Sequence, residues 1–308
     1  LKADTMAEKQ ETAGERLDRL DVLPWERAGA PDQLVNGAAG SLKDIWKHRE
    51  LLGLLTKREL KARYKDSSLG FVWSLIKPLT QLLIYYVVVG KFLGAERGIP
   101  NFAVYIFAGL TIYTLFSEIV SGGTSSIISN SGLVKKVYLP REIFPLSAVG
   151  SALFNLAVQM VILLITALLV GTLTLGPHLL YGVGALVVVV IYGTALGILL
   201  AALNVYLRDV QYLVEVILML FMWGSPILYH WTFAVSAMPG WLGQIYLNNP
   251  VTLAVIGFQE AVWSPGSSSD SLDGLALRLL AAAAVGLVLL FVSQRVFARL
   301  QGNFAQEL

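Results

Sequence analysis

Residues 179–203 read LLYGVGALVVVVIYGTALGILLAAL, an unbroken apolar run without a single charged side chain. About 20 such residues are enough to cross the hydrocarbon core of a bilayer as a helix. Lipid offers backbone N–H and C=O groups no water, so a run of this kind is read as helical. Further runs at 79–93, 102–116, 152–175, 210–229 and 275–293 are nearly free of charge. None shows the polar–apolar alternation of a barrel strand. The fold class expected is therefore an all-α polytopic membrane protein with six transmembrane helices, placed at 71–93, 102–122, 145–171, 179–203, 210–229 and 275–296.

Composition agrees. The chain of 308 residues is 56% hydrophobic and 14% charged, whereas a soluble domain carries about 25% charge. It has no cysteine, which excludes disulfides and thiolate metal sites. A formal charge of +2 is too small to point to nucleic acid. Residues 1–40 are polar and lack an apolar core after a basic start, so they do not read as a secretory signal. They read as a cytoplasmic arm, in which a short helix at Glu11–Leu20 is possible.

Residues 41–66, SLKDIWKHRELLGLLTKRELKARYKD, combine an apolar stripe containing Trp46 with many Lys and Arg. A basic amphipathic helix of this kind lies in a membrane interface or packs on the protein's own cytoplasmic face; both readings stand. Pro78 is tolerated near the start of the first span, and Lys77 can snorkel. Lys and Arg gather before the first span, in the 127–144 and 204–209 loops and at the C-terminal end. The positive-inside rule then places both termini in the cytoplasm, with 301–308 as a tail. Residues 230–274 are too apolar for a free loop. Pro239-Gly240 and Asn249-Pro250 cut them into pieces short enough to be re-entrant or interfacial helices on the outer side.

No Walker A loop, no GxGxxG before a strand and no HExxH is present. His48, His178 and His230 are far apart in sequence, so neither a metal nor another cofactor is expected in this chain. Glu118, Glu215 and Glu260 fall at or near membrane depth, where acids mark a pathway or an internal ion pair. Tyr85, Tyr86, Tyr113, Phe221 and Trp223 have the chemistry of a sliding path for sugar rings, or of ordinary helix packing. A membrane-embedded glycosyltransferase would want clustered acids or histidines for acid–base work, and the chain has no such cluster; a scaffold is the remaining class.

Specific stretches narrow the choice. TKRELKARYKDSSLGFVWSLIKPL (56–79), LVKKVYLPREIFPL (133–146), NVYLRDVQYLVEVILMLFMWGSPILY (204–229) and LNNPVTLAVIGFQEAVW (247–263) occur in that order. Together they resemble the permeases of polysaccharide-export ABC transporters, which carry O-antigen, teichoic acid and related glycans. The resemblance implies a permease with no catalytic centre of its own. It implies two copies of the chain, working with two separate ATP-binding subunits that hold ATP and Mg. The implied substrate is a glycan on a polyprenyl-pyrophosphate lipid; an exporter of small lipids or drugs shares the architecture. Given that substrate, Arg58, Lys61, Arg63 and Lys65 are the expected pyrophosphate contacts at the membrane surface. Lys135, Lys136, Arg141, Arg208 and Asp209 are the expected ATPase-facing residues.

The topology has a direct test. Cysteine placed at Ser267 in this cysteine-free chain should react with a membrane-impermeant thiol reagent added to intact cells. Labelling that needs permeabilised cells would reverse the assignment of 230–274 to the outer side.

Overall fold

Asn101 stands in a left-handed conformation (φ 52°) and opens the helix around which the others are arranged. A computed structural model describes residues 43, 45–64, 72–94, 98–136, 139–174, 176–263 and 272–308. The arm 1–40 and its possible helix, as well as Lys65 and Ser267, lie outside the described residues. Helices are numbered here in chain order: α1 Arg49–Tyr64, α2 Trp73–Tyr85, α3 Phe102–Ser129, α4 Ser131–Lys136, α5 Ile143–Val170 and α6 Leu179–Tyr206. They continue with α7 Val210–Gly224, α8 Trp231–Ser236, α9 Gly240–Leu247, α10 Pro250–Trp263, α11 Leu275–Leu300 and α12 Phe304–Glu307. A π-helical stretch, Tyr86–Phe92, prolongs α2. Among the described residues, 5 helices are long and apolar enough to cross a membrane, and the chain is an all-α, multi-pass protein.

α3 is the centre. Of its most apolar window 78% is buried by the rest of the chain, against 6% for the first span, Trp73–Phe92. It packs on α5, α6, α7 and α10. The contact with α6 is made by small residues: a Cβ built on Gly123 would stand 2.7 Å from the Gly197 Cα, and one on Gly193 would stand 2.9 Å from the Ile119 side chain. In lipid, helices gain nothing by hiding from water, so close backbone approach supplies their attraction. This contact also explains why α3 runs on to Ser129 instead of stopping near 122. Gly122-Gly123 and the serines after them would weaken a free helix, but Gly123 is the point where α6 packs. Asn204 further ties α6 to α3 by donating to the Thr124 carbonyl at 3.0 Å.

The fifth span differs from expectation in length. α7 ends at Gly224 rather than 229. The cause is local: Ser225 precedes Pro226, whose ring disfavours the helical region for the residue before it, and Ser225 is extended at φ −98°, ψ 151°. The carbonyls freed by the break are recovered inside the protein. The Tyr105 hydroxyl lies 2.9 Å from the Pro226 carbonyl and 2.8 Å from that of Tyr229, and Gln259 donates to Pro226 at 3.0 Å. Non-helical backbone at membrane depth survives only with such internal partners. Beyond it, α10 is buried along nearly its whole length against α3 and α6, and Trp263 donates to the Pro100 carbonyl at 2.5 Å.

At the opposite end, α1 packs across the start of α5. Thr56 lies against Gly150, Ser147 donates to Glu59 at 2.8 Å, and Arg58 donates to Asn130 at the end of α3. Trp46 and Leu54 remain exposed. The segment 301–308, expected as a cytoplasmic tail, is docked on the bundle. Phe304 is fully buried, edge-on to Phe297 at 5.5 Å and to Tyr206 at 6.1 Å. One apolar cluster thus joins Leu55, Ile127, Val134, Ile143, Val205, Phe297 and Phe304, and so brings the basic loops to a single end of the bundle.

Gly123→Val should lower the thermal stability of the detergent-solubilised protein. Overpacking of this kind costs about 1–3 kcal/mol. Gly132→Val, at a site open to a Cβ, serves as the control and should melt well above Gly123→Val in a thermal-shift assay.

Candidate functional site

α2 stands off α3 and α5, which pack on each other. Between α2 and this pair lies a cavity of about 550 Å³ whose lining mixes apolar surface with several polar side chains, although the three helices are otherwise apolar. α2 contributes Ser74, Lys77 and Gln81, with Trp73 and Pro78 beside them. α3 contributes Thr114 and Glu118 above the apolar Phe107 and Leu110; α5 contributes Asn155 and Gln159. Each set follows helical spacing, so each occupies one face of its helix. At 1.5 Å per residue Glu118 lies about 24 Å along α3 from Phe102, well inside the membrane-crossing stretch.

One hydrogen bond organises the wall: the Asn155 amide donates to a Glu118 carboxylate oxygen at 2.7 Å. Asn155 is only 7% exposed, and its side-chain oxygen meets no donor among the described residues. A polar group withdrawn from water without a partner costs about 1–3 kcal/mol by protein measurements. Ionisable groups in membrane helices face the bundle interior or a cavity, and Glu118 and Lys77 both line this one. Such a chamber can bind a molecule carrying donors and acceptors. Among the described residues, no three His, Asp or Glu groups come close enough to hold a metal ion.

The aromatic residues expected along a path are divided. Tyr113 is buried, and its hydroxyl donates to the Leu218 carbonyl of α7. Phe221 meets Phe116 edge-on at 6.5 Å, and the Tyr85 hydroxyl lies 3.9 Å from the Met222 sulfur. These three therefore gather where α2, α3 and α7 pack. Tyr86 faces elsewhere, under the Lys91 ammonium and into a second cavity of about 420 Å³. Trp223 is exposed on α7. Of the expected pyrophosphate contacts, Arg58 and Lys61 are exposed on α1; the side chain of Arg63 and all of Lys65 lie outside the described residues. Lys135 and Lys136 on α4 are exposed, as are Arg208 and Asp209, whereas the Arg141 guanidinium sits 5.6 Å over the Phe304 ring.

Gln81, Thr114, Asn155 and Gln159 belong to no motif. Their signal is spacing alone: Ser147, Ser151, Asn155 and Gln159 recur every fourth residue along α5, a polar stripe on a helix that must otherwise satisfy lipid.

Comparison with known proteins places this geometry. Residues 50–263 match the family model described as ABC-2 type transporter. An O-antigen export system permease protein RfbA of Myxococcus xanthus is 30% identical over 87% of this chain and 98% of its own length. A Klebsiella pneumoniae protein of the same description is 26% identical over 83% of this chain and 94% of its own length. A polysialic acid transport protein KpsM of Escherichia coli is 25% identical, covering 75% and 89%.

The Glu118–Asn155 bond should show as coupling. In a double-mutant cycle of Glu118→Ala and Asn155→Ala, measured by unfolding of the purified protein, the two losses should fall short of additivity by about 1 kcal/mol or more. Strict additivity would mean that the bond contributes nothing.

Proposed function

We propose, from the premise that this chain belongs to the ABC-2 type transporter family, that it is the membrane-spanning permease of an ATP-driven exporter of cell-envelope polysaccharide. The observation that carries this reading is the near full-length similarity to an O-antigen export permease, covering 98% of that protein. The capsular relative points to the same chemical class, a long glycan. ATP and Mg belong to a partner ATPase, and the permease supplies the route.

Several features support the fuller picture. The fifth crossing is α7 completed by residues 225–229, which gives six crossings, and α8 to α10 form the re-entrant outer region. The basic loops share one end of the bundle, and the excess of Lys and Arg there supports a cytoplasmic placement of that end. α1 then lies at the inner membrane surface, with Arg58 and Lys61 exposed to meet the lipid pyrophosphate. Lys135, Lys136, Arg208 and Asp209 form the exposed surface for the ATPase, with Arg141 held behind them by Phe304. α7 buries only Val210, Val214 and Leu218 in its own chain. Its remaining apolar surface and that of α2 supply the contact with a second copy, so that Tyr85, Phe221 and Trp223 come to border a route between the two chains.

Disruption of the gene should cause lipid-linked glycan to accumulate in the cytoplasmic membrane and surface glycan to fall, with both restored by the wild-type chain. Undiminished surface glycan in the disrupted strain would exclude the reading.

A further inference from the structure

A polymer that must advance through many registers cannot be gripped tightly at a fixed place along its length, because each strong contact would have to be broken at every step. A fixed polar chamber suits a unit that is bound once. The cavity between α2, α3 and α5 is such a chamber, and its chemistry is specific. Gln81, Asn155 and Gln159 offer planar amides, each with donors and an acceptor. Glu118 offers a carboxylate. Paired hydroxyls on neighbouring carbons of a sugar ring match both. Trp73, 39% exposed, supplies an aromatic face for the apolar C–H face of such a ring.

Charge decides between a sugar and an anionic headgroup. Lys77 and Glu118 are the two charged residues of the lining, so their formal charges cancel. A phosphate would demand a surplus of cations and would be repelled by the carboxylate; a neutral polyol has no such conflict. The volume of about 550 Å³ lies within the roughly 300–1,000 Å³ of small-molecule pockets. Asn155 sets the position of the carboxylate: it is 7% exposed and lines the cavity, and its amide is committed to Glu118. The Asn155 oxygen is itself covered, so the contacts offered to a ligand are those of Gln81, Gln159 and Glu118.

We propose that this cavity is a sugar-binding subsite that holds one neutral pyranose unit at the lipid-attached end of the glycan; the proposal rests on the exporter reading above. The place follows from the fold. The cavity opens along the first turns of α2, the helix that comes next in the chain after the basic α1. α1 crosses α5 at Ser147 and Gly150, roughly 8–12 Å along the helix from Asn155 on the cavity wall, so a pyrophosphate met by Arg58 and Lys61 would leave its adjoining sugar on the side of the chamber. The subsite thus recognises the substrate at loading and takes no part in the passage of later units.

The test uses the complex of this permease with its ATPase in nanodiscs of phosphatidylethanolamine and phosphatidylglycerol. Two probes are titrated against ATP hydrolysis: the lipid-linked glycan extracted from cells in which this gene is disrupted, and bare polyprenyl pyrophosphate. The wild-type complex should half-saturate at a concentration roughly tenfold lower for the glycan-bearing lipid, the effect of one or two well-made hydrogen bonds. Gln159→Leu and Gln81→Leu should each remove most of that advantage while the response to bare polyprenyl pyrophosphate stays within about twofold, since no sugar bond is lost there. Equal half-saturation for both lipids in the wild type would overturn the subsite and leave the exporter reading standing. Variants that weaken both responses alike would also overturn it, by showing a merely structural role. If no lipid-linked glycan accumulates, or neither lipid stimulates hydrolysis, the exporter reading itself fails, and the subsite with it.

Discussion

The arrangement of this protein depends on the approach of two helix backbones to within contact distance, at Gly123 of α3 and Gly197 of α6. Inside lipid, dispersion between closely fitted surfaces is a main source of helix association, and a gap of roughly 0.5–1 Å forfeits a quarter to a half of it. Everything placed relative to α3 inherits that fit. α10 lies on both helices of the pair, and Tyr105 and Gln259 hold the broken backbone at Pro226 against them. α5 lies along another side of α3 and there leaves the opening that becomes the cavity.

Much of this was legible in the sequence, for reasons that differ between elements. The apolar runs at 102–116, 179–203 and 275–293 announce helices because lipid permits little else, and the family was readable from four short stretches in order, as the later match over 50–263 bears out. The ends of elements were less legible. α3 outlasts its glycine pair because of a partner helix far away in sequence, and local propensity carries no trace of such a partner. α7 stops at Gly224 because of Pro226, a signal that was present but was outweighed by the hydropathy of Ile227 and Leu228. The docking of Phe304 depends on Tyr206, Phe297 and Arg141, which stand on separate elements of the chain.

The site divides in the same way. Aromatic side chains are conspicuous in a sequence, and they drew the first assignment of a path. Three of them, Tyr85, Tyr113 and Phe221, turn out to meet at one junction of helices, where Tyr113 spends its hydroxyl on a backbone carbonyl. Amides are less conspicuous, yet within hydrocarbon they are the more informative residues. A buried tyrosine can serve packing alone, whereas an Asn or Gln facing lipid would carry a cost that nothing offsets. The stripe on α5 is polar because Ser147 meets Glu59 of α1 while Asn155 and Gln159 line the cavity, where Asn155 finds Glu118.

The short joint at 225–229 has a mechanical meaning. It separates α7, which buries only Val210, Val214 and Leu218, from α10, which is embedded along almost its entire length. The two are thus unequally anchored to α3, one by a narrow seam and the other by a broad one. Load applied to α7 therefore falls on a joint pinned by the Tyr105 and Gln259 side chains, while α10 is held to the frame. A displacement of the Val210 end of α7 would then act as rotation of one short lever on a fixed bearing, a motion of the collective kind that takes microseconds to milliseconds.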